Sequence, residues 1–145
     1  MKKILIALSI FTLAAVVPAF SQEFKASDPS PSVAKDSRCF ELRTYYAAPG
    51  KIEALHARFR DHTNKLFVKH GMELVGYWVP TDKEQGDKLI YILAHKSRDA
   101  AKKSWADFQN DPDWKKARAE SEANGKLVEK VESVFLAATD YSPMK

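Results

Sequence analysis

The sequence predicts an α+β fold, with elements in the order β-α-β-β-α-β around an antiparallel sheet. Three observations predict it. The stretch Cys39 to Val79 reads as strand, turn, helix, turn, strand. Apolar residues alternate along Phe40 to Tyr46, then recur at three- and four-residue steps along Lys51 to His70, and that change of period marks a change from strand to helix. The chain beyond Val79 makes a second pass of the same theme: a strand, a helical segment and a last strand.

Phe40 to Tyr46 is the first strand, with Phe40, Leu42, Thr44 and Tyr46 on one face and Glu41, Arg43 and Tyr45 on the other, since strand side chains alternate. Pro49-Gly50 makes a turn. Lys51 to His70 is helical: Ile52, Leu55, Phe59, Leu66 and Phe67 form its apolar stripe, while Arg58, Arg60, Asp61, Lys65 and Lys69 fall elsewhere. Gly71 is its C-cap. Met72 to Val79 is the second strand, closed by Pro80, and Lys88 to His95 the third, so the two form a hairpin around a polar loop. Ser97 caps a helix from Arg98 to Gln109 with Ala101, Trp105 and Phe108 inward. Asp111-Pro112 starts a further helix that Asn124-Gly125 stops. Lys126 to Lys130 leads into the final strand, Val131 to Ala138. This order is the ferredoxin-like split arrangement, a four-stranded antiparallel sheet with helices on one face.

The strands also predict an assembly. Leu89 to Ala94 is apolar on both faces, and Val131 to Ala138 nearly so, whereas a sheet with one wet face alternates. Helices cover one face only. A second copy, sheet against sheet, covers the other economically, because monomers seldom expose so large an apolar surface. The expectation is a homodimer forming a dimeric α+β barrel.

The rest of the chain frames this domain, placed at 39–142. Met1-Lys2-Lys3, the apolar run Ile4 to Val17, and small Ala19 and Ser21 have the layout of a signal peptide over 1–21, cleaved near Ser21. The alternative is a membrane anchor, but the apolar run is shorter than the roughly 20 residues of a span. The expectation is a periplasmic or secreted protein, with no membrane span after cleavage. Residues 22–38, rich in Ser, Pro, Lys and Asp, read as a disordered linker. The 23 basic residues less Lys2 and Lys3 leave 21 against 19 acidic ones, a net of +2. Charges of both signs are interspersed without a basic stripe, which argues against nucleic acid. Cys39 is the lone cysteine, so no internal disulfide forms; it is a buried strand residue or an intermolecular link.

Several ordered segments carry a family likeness. E-L-R-T-Y at 41–45, P-G-K at 49–51, F-R-D-H-T at 59–63, L-F-x-K-H-G-M at 66–72 and V-G-Y-W at 75–78 lie in the first half of the domain. W-A-D-F at 105–108, D-P-D-W at 111–114, R-A-E-S at 118–121 and L-V-E-K-V-E-S at 127–133 lie in the second. The chain from Phe40 to Ser142 resembles the NIPSNAP family. That resemblance implies a dimeric α+β barrel and no established activity. Barrel relatives include cofactor-independent monooxygenases, haem enzymes and binding proteins, so fold alone does not select a function. The family's mitochondrial roles do not carry over to an exported member.

Candidate chemistry is sparse. His56, His62 and His70 share one helix at gaps that separate them by roughly 9 and 12 Å, too far for one metal, and no H-E-x-x-H exists. No metal or cofactor is expected. Nucleophile motifs and phosphate-binding glycine loops are missing from the sequence. Glu41, Arg43 and Tyr45 share a strand face, and a buried Arg and Glu must be paired or open to a cavity. They are a structural ion pair at the dimer interface, or a pocket where Arg43 binds an anionic group and Tyr45 donates a hydrogen bond, with His62 or His95 as base. Trp78, Trp105 and Trp114, with Tyr77 and Tyr91, are core or the wall of an aromatic pocket, Trp114 at its rim. The leading expectation is a binding or interaction module with a small apolar or aromatic ligand. The rivals are a cofactor-independent oxygenase or isomerase acting on an aromatic or quinone-like substrate, and haem binding through His70 or His95.

Overall fold

A computed structural model describes residues 30–145 of the chain; the expected signal peptide and the linker as far as residue 29 lie outside them. Strand β1 (Cys39–Ala47) is followed by α1 (Ile52–Arg58), a π-helical turn (Phe59–Thr63) and α2 (Asn64–Lys69). Then come β2 (Glu73–Trp78), β3 (Lys88–His95), α3 (Arg98–Asn110), α4 (Pro112–Ser121) and β4 (Val128–Ala137). The sheet order is β2-β3-β1-β4 with antiparallel neighbours. This is the α+β, ferredoxin-like arrangement that the sequence predicts.

Local chemistry sets the boundaries. Gly71 takes φ +77°, a left-handed value open to glycine. Its N–H bonds the carbonyl of Val68, and the N–H of Met72 bonds that of Phe67, a Schellman end to α2. The Ser97 hydroxyl accepts from the Ala100 N–H at 3.1 Å. The Asp111 carboxylate accepts from the Asp113 N–H at 2.8 Å, with Pro112 in the first turn of α4. Asp111 also lies 2.7 Å from His70 Nε2 and 2.8 Å from Lys69 Nζ. One side chain thus caps α4 and ties it to the end of α2.

Three expectations differ from the structure. The single helix over Lys51 to His70 carries a π turn, in which the Asn64 N–H reaches back to the Phe59 carbonyl. Thr63, buried in that turn, donates its hydroxyl to the Arg58 carbonyl at 3.2 Å. The final strand begins at Val128, three residues early, because pairing with β1 continues past a register shift at Tyr46/Ala47. From residue 30 to Arg38 the segment expected as disordered is packed on the domain. Val33 bridges Thr139, Ala34 is buried with its N–H on the Ala138 carbonyl, and Arg38 pairs with Glu73. Its backbone gains sheet-like partners at the end of β4, which composition alone does not reveal.

The core lies between sheet and helices. Leu55, Phe67, Met72, Tyr91, Leu93 and Leu127 are fully enclosed there, each worth roughly 1.5–3 kcal/mol on burial. Aromatic edges fill it: Phe59 meets Tyr45, Tyr77 and Tyr91, and Phe67 meets Trp105 and Phe108, all at centroid distances of 4.8–6.0 Å. The opposite sheet face carries no helix. Along it lie Leu42, Ile90 and Ile92, half-buried, and Trp78, Val134 and Leu136, exposed.

Candidate functional site

The helix-covered face of β1 carries the polar residues. Glu41 is 1% exposed, and its carboxylate gathers four partners. Oε1 accepts from Arg43 Nη1 at 2.6 Å and from the Ser133 hydroxyl at 2.7 Å. Oε2 accepts from Trp105 Nε1 at 2.7 Å and lies 3.0 Å from His95 Nε2. Burial alone pushes this carboxyl up; the hydrogen bonds from His95, Trp105, Ser133 and Arg43 outweigh it and hold the group down at about 2. Glu41 is therefore an ionised positioning group, with no proton to give near neutrality.

Two of its partners face a cavity of about 630 Å³ between the sheet and the helices. The Arg43 guanidinium lies over the Trp105 ring at 4.1 Å. Tyr45 and Phe59 adjoin them, and Phe108 lies tilted against Trp114, ring centres 4.5 Å apart, along the wall. Arg58 completes it: its side chain lies 5.2 Å from the Trp114 ring centre and 2.9 Å from Glu122. The π turn contributes Phe59 and Thr63 to the same wall. Its extra backbone residue shifts the phase of the helix on either side, so Arg58, Phe59 and Thr63 are all buried; π turns recur at functional sites.

The sequence-expected residues therefore divide. Arg43, Tyr45, Trp105 and Trp114 come together on the cavity wall. Glu41 sits behind Arg43 and Trp105. Tyr91, 0% exposed, belongs to the core beneath, where burial and the neighbouring Tyr45 raise its phenol well above the ordinary range. Trp78 does not join them: it is 51% exposed on the open sheet face. Tyr77 points to the helices, and adjacent strand residues point opposite ways. The same alternation overturns the placing of Glu41, Arg43 and Tyr45 at a sheet-to-sheet interface, since Glu41 and Arg43 meet Trp105 of α3 and Tyr45 meets Phe59 of the π turn.

The histidines do not reach the cavity. His62 is exposed in a separate surface groove between the π turn and α4. His95 is 3% exposed and engaged by Glu41, and His70 is engaged by Asp111. The wall thus lacks an imidazole base, and neither His70 nor His95 is free to serve as an axial haem ligand there. Among the described residues, no three His, Cys, Asp or Glu side chains converge as a metal requires. Cys39 is half-buried and free, its thiol raised by burial.

Sequence reasoning misses Arg58, Glu122 and Ser133. Arg58 had a signal, being three residues past Leu55 and beside Phe59, hence on the apolar stripe. Glu122 and Ser133 had none, because their roles depend on contacts 64 and 92 residues away.

Comparison with known proteins agrees with this architecture. A sequence profile of the NIPSNAP family matches residues 40–143. A NIPSNAP family protein of unknown function from Agrobacterium tumefaciens superposes with a TM-score of 0.69. It shares 24% identity, over 79% of this chain and 99% of that one. A second NIPSNAP protein from the same organism gives 0.63 and 23% identity over 74% and 98%. An uncharacterized NIPSNAP domain protein from Burkholderia xenovorans gives 0.61 and 20% identity over 72% and 98%. No curated protein sequence matches this chain.

Proposed function

We propose that this chain, which belongs to the NIPSNAP family, is an exported homodimeric module that binds a small apolar or aromatic molecule between sheet and helices. The cavity carries this reading. Its volume of about 630 Å³ lies in the roughly 300–1,000 Å³ range of small-molecule sites. Its walls combine the rings of Phe59, Phe67, Trp105, Phe108 and Trp114 with a polar, mostly basic rim. The wall holds no imidazole, and its Glu122 is engaged by Arg58 and Arg118, which favours binding over turnover.

The open sheet face supports the homodimer. Trp78, Val134 and Leu136 lie exposed beside Leu42, Ile90 and Ile92, and the economical cover for such a face is a copy of itself, sheet against sheet. The basic start, apolar run and small residues over 1–21 support export. No helix among the described residues is long and apolar enough to cross a membrane.

Titration of the protein with 2-naphthol, followed by indole emission, tests the cavity. Quenching that saturates and is lost in Trp105→Phe with Trp114→Phe is expected; unchanged emission across a panel of neutral and acidic aromatic compounds would remove the reading. Native mass spectrometry tests the assembly, for which a dimer is expected and a monomer at micromolar concentration would sink it.

A further inference from the structure

We infer that the cavity takes an organic acid, a flat apolar body bearing a carboxylate or phosphate, held by two arginines, Arg43 and Arg58. This rests on the cavity being a ligand site. The two arginines share one construction. Arg43 lies on Trp105 and is tied to Glu41; Arg58 lies against Trp114 and is tied to Glu122. Each guanidinium is thus held by a ring face and a carboxylate, and both line the cavity. Each also keeps its Nε–H buried with no hydrogen-bond partner among the described residues. Arg58 is 5% exposed. A buried donor left without an acceptor is costly, and a planar anion matches the guanidinium fork.

The wall's charge points the same way. Lys115 and Lys126 add cations that form no ion pair among the described residues. Glu122 is shared between Arg58 and Arg118, and Glu129 is the other acid on the wall. The mouth is therefore net positive, and it draws acids in and disfavours cations. Trp105 and Trp114 offer ring faces to the apolar body.

The test uses matched probes on the unaltered protein: 2-naphthoate, 2-naphthyl phosphate and 2-naphthamide, titrated by indole quenching and calorimetry. At least one acid should bind ~10-fold or more tightly than the amide, as a charge-assisted bond implies. Whichever acid binds better identifies the headgroup. Arg43→Gln and Arg58→Gln should each cut that preference several-fold, and Arg58→Lys should restore part of it if loss of the Glu122 pair weakens folding. Equal binding of acid and amide would overturn the inference and leave the cavity as a neutral-ligand site. Binding of no probe would remove the cavity reading and the inference with it.

Discussion

The two faces of the sheet are made from the same strands and do opposite things. On the helix side, β1 presents Glu41, Arg43 and Tyr45, and every charge there is met by a partner or opens on the cavity. On the far side, its neighbouring residues present Leu42 and Thr44 beside Ile90, Ile92, Trp78 and Val134, with no partner from the same fold. The difference teaches where each kind of specificity lives. Polar residues such as Glu41 are placed where sheet and helix together satisfy them, and the apolar part of the bare face is what the proposed second copy would cover.

The largest effect is expected on the polar face. Glu41→Ala leaves Arg43, Trp105, Ser133 and His95 without their common acceptor, and one of them is a buried charge. A loss of ~3–5 kcal/mol is expected in urea unfolding; a loss below ~1 kcal/mol would mean that water replaces the carboxylate readily.

Acid should probe the same group more gently. Its carboxyl lies at about 2 in the fold against an ordinary 4.5, so the folded value is depressed. Its contribution is complete above pH 4.5 and is lost as pH falls through 2, amounting to about 3 kcal/mol. Asp111 and Glu122 are also depressed. The measure is therefore the difference in acid unfolding between the native chain and Glu41→Gln, whose pH slope should be shallower in that window.

The bare face should answer to assembly and little else. Val134→Asp should weaken self-association by ~2 kcal/mol or more per subunit from burying an unpaired charge, seen by sedimentation. Monomer stability should change by no more than ~0.5 kcal/mol. Unfolding of the monomer itself would blur the division between faces. Smallest of all, Gly76→Ala would place a methyl 2.6 Å from the far edge of the Trp78 ring. That ring end is free to swing, so stability should hold within ~0.5 kcal/mol while Trp78 emission shifts.

Much of this comparison is legible in the sequence, and the reasons are specific. Alternation assigns Glu41, Arg43 and Tyr45 to one face and Leu42 and Thr44 to the other. Which face meets the helices is a tertiary fact that alternation leaves open, and the interface alternative for Glu41 and Arg43 fails on it. Trp78 is a different kind of miss, since alternation already separates it from Tyr77. The π turn leaves Phe59 and Leu66 at a spacing that fits an ordinary helix, so nothing local betrays the added residue. Arg58 reads as solvent-facing because a charge biases the eye against a stripe that Leu55 and Phe59 define. The segment ending at Arg38 looks polar enough to be free, yet its order comes from β4, a partner a hundred residues along.

The Glu41 carboxylate also bears on how the chain comes together. Its partners His95, Trp105 and Ser133 stand 54, 64 and 92 residues away in sequence. Contacts of such separation incur their loop-closure cost before they return any stabilisation. The first half of the chain can form the helix after β1, but β1 itself pairs only with β3 and β4, which follow later. Trp105 meets its acceptor once α3 packs on β1, and β4 brings Ser133, the partner farthest along the chain. A chain arrested before β4 docks would lack that bond and the stretch of cavity wall that Val128 and Val131 supply.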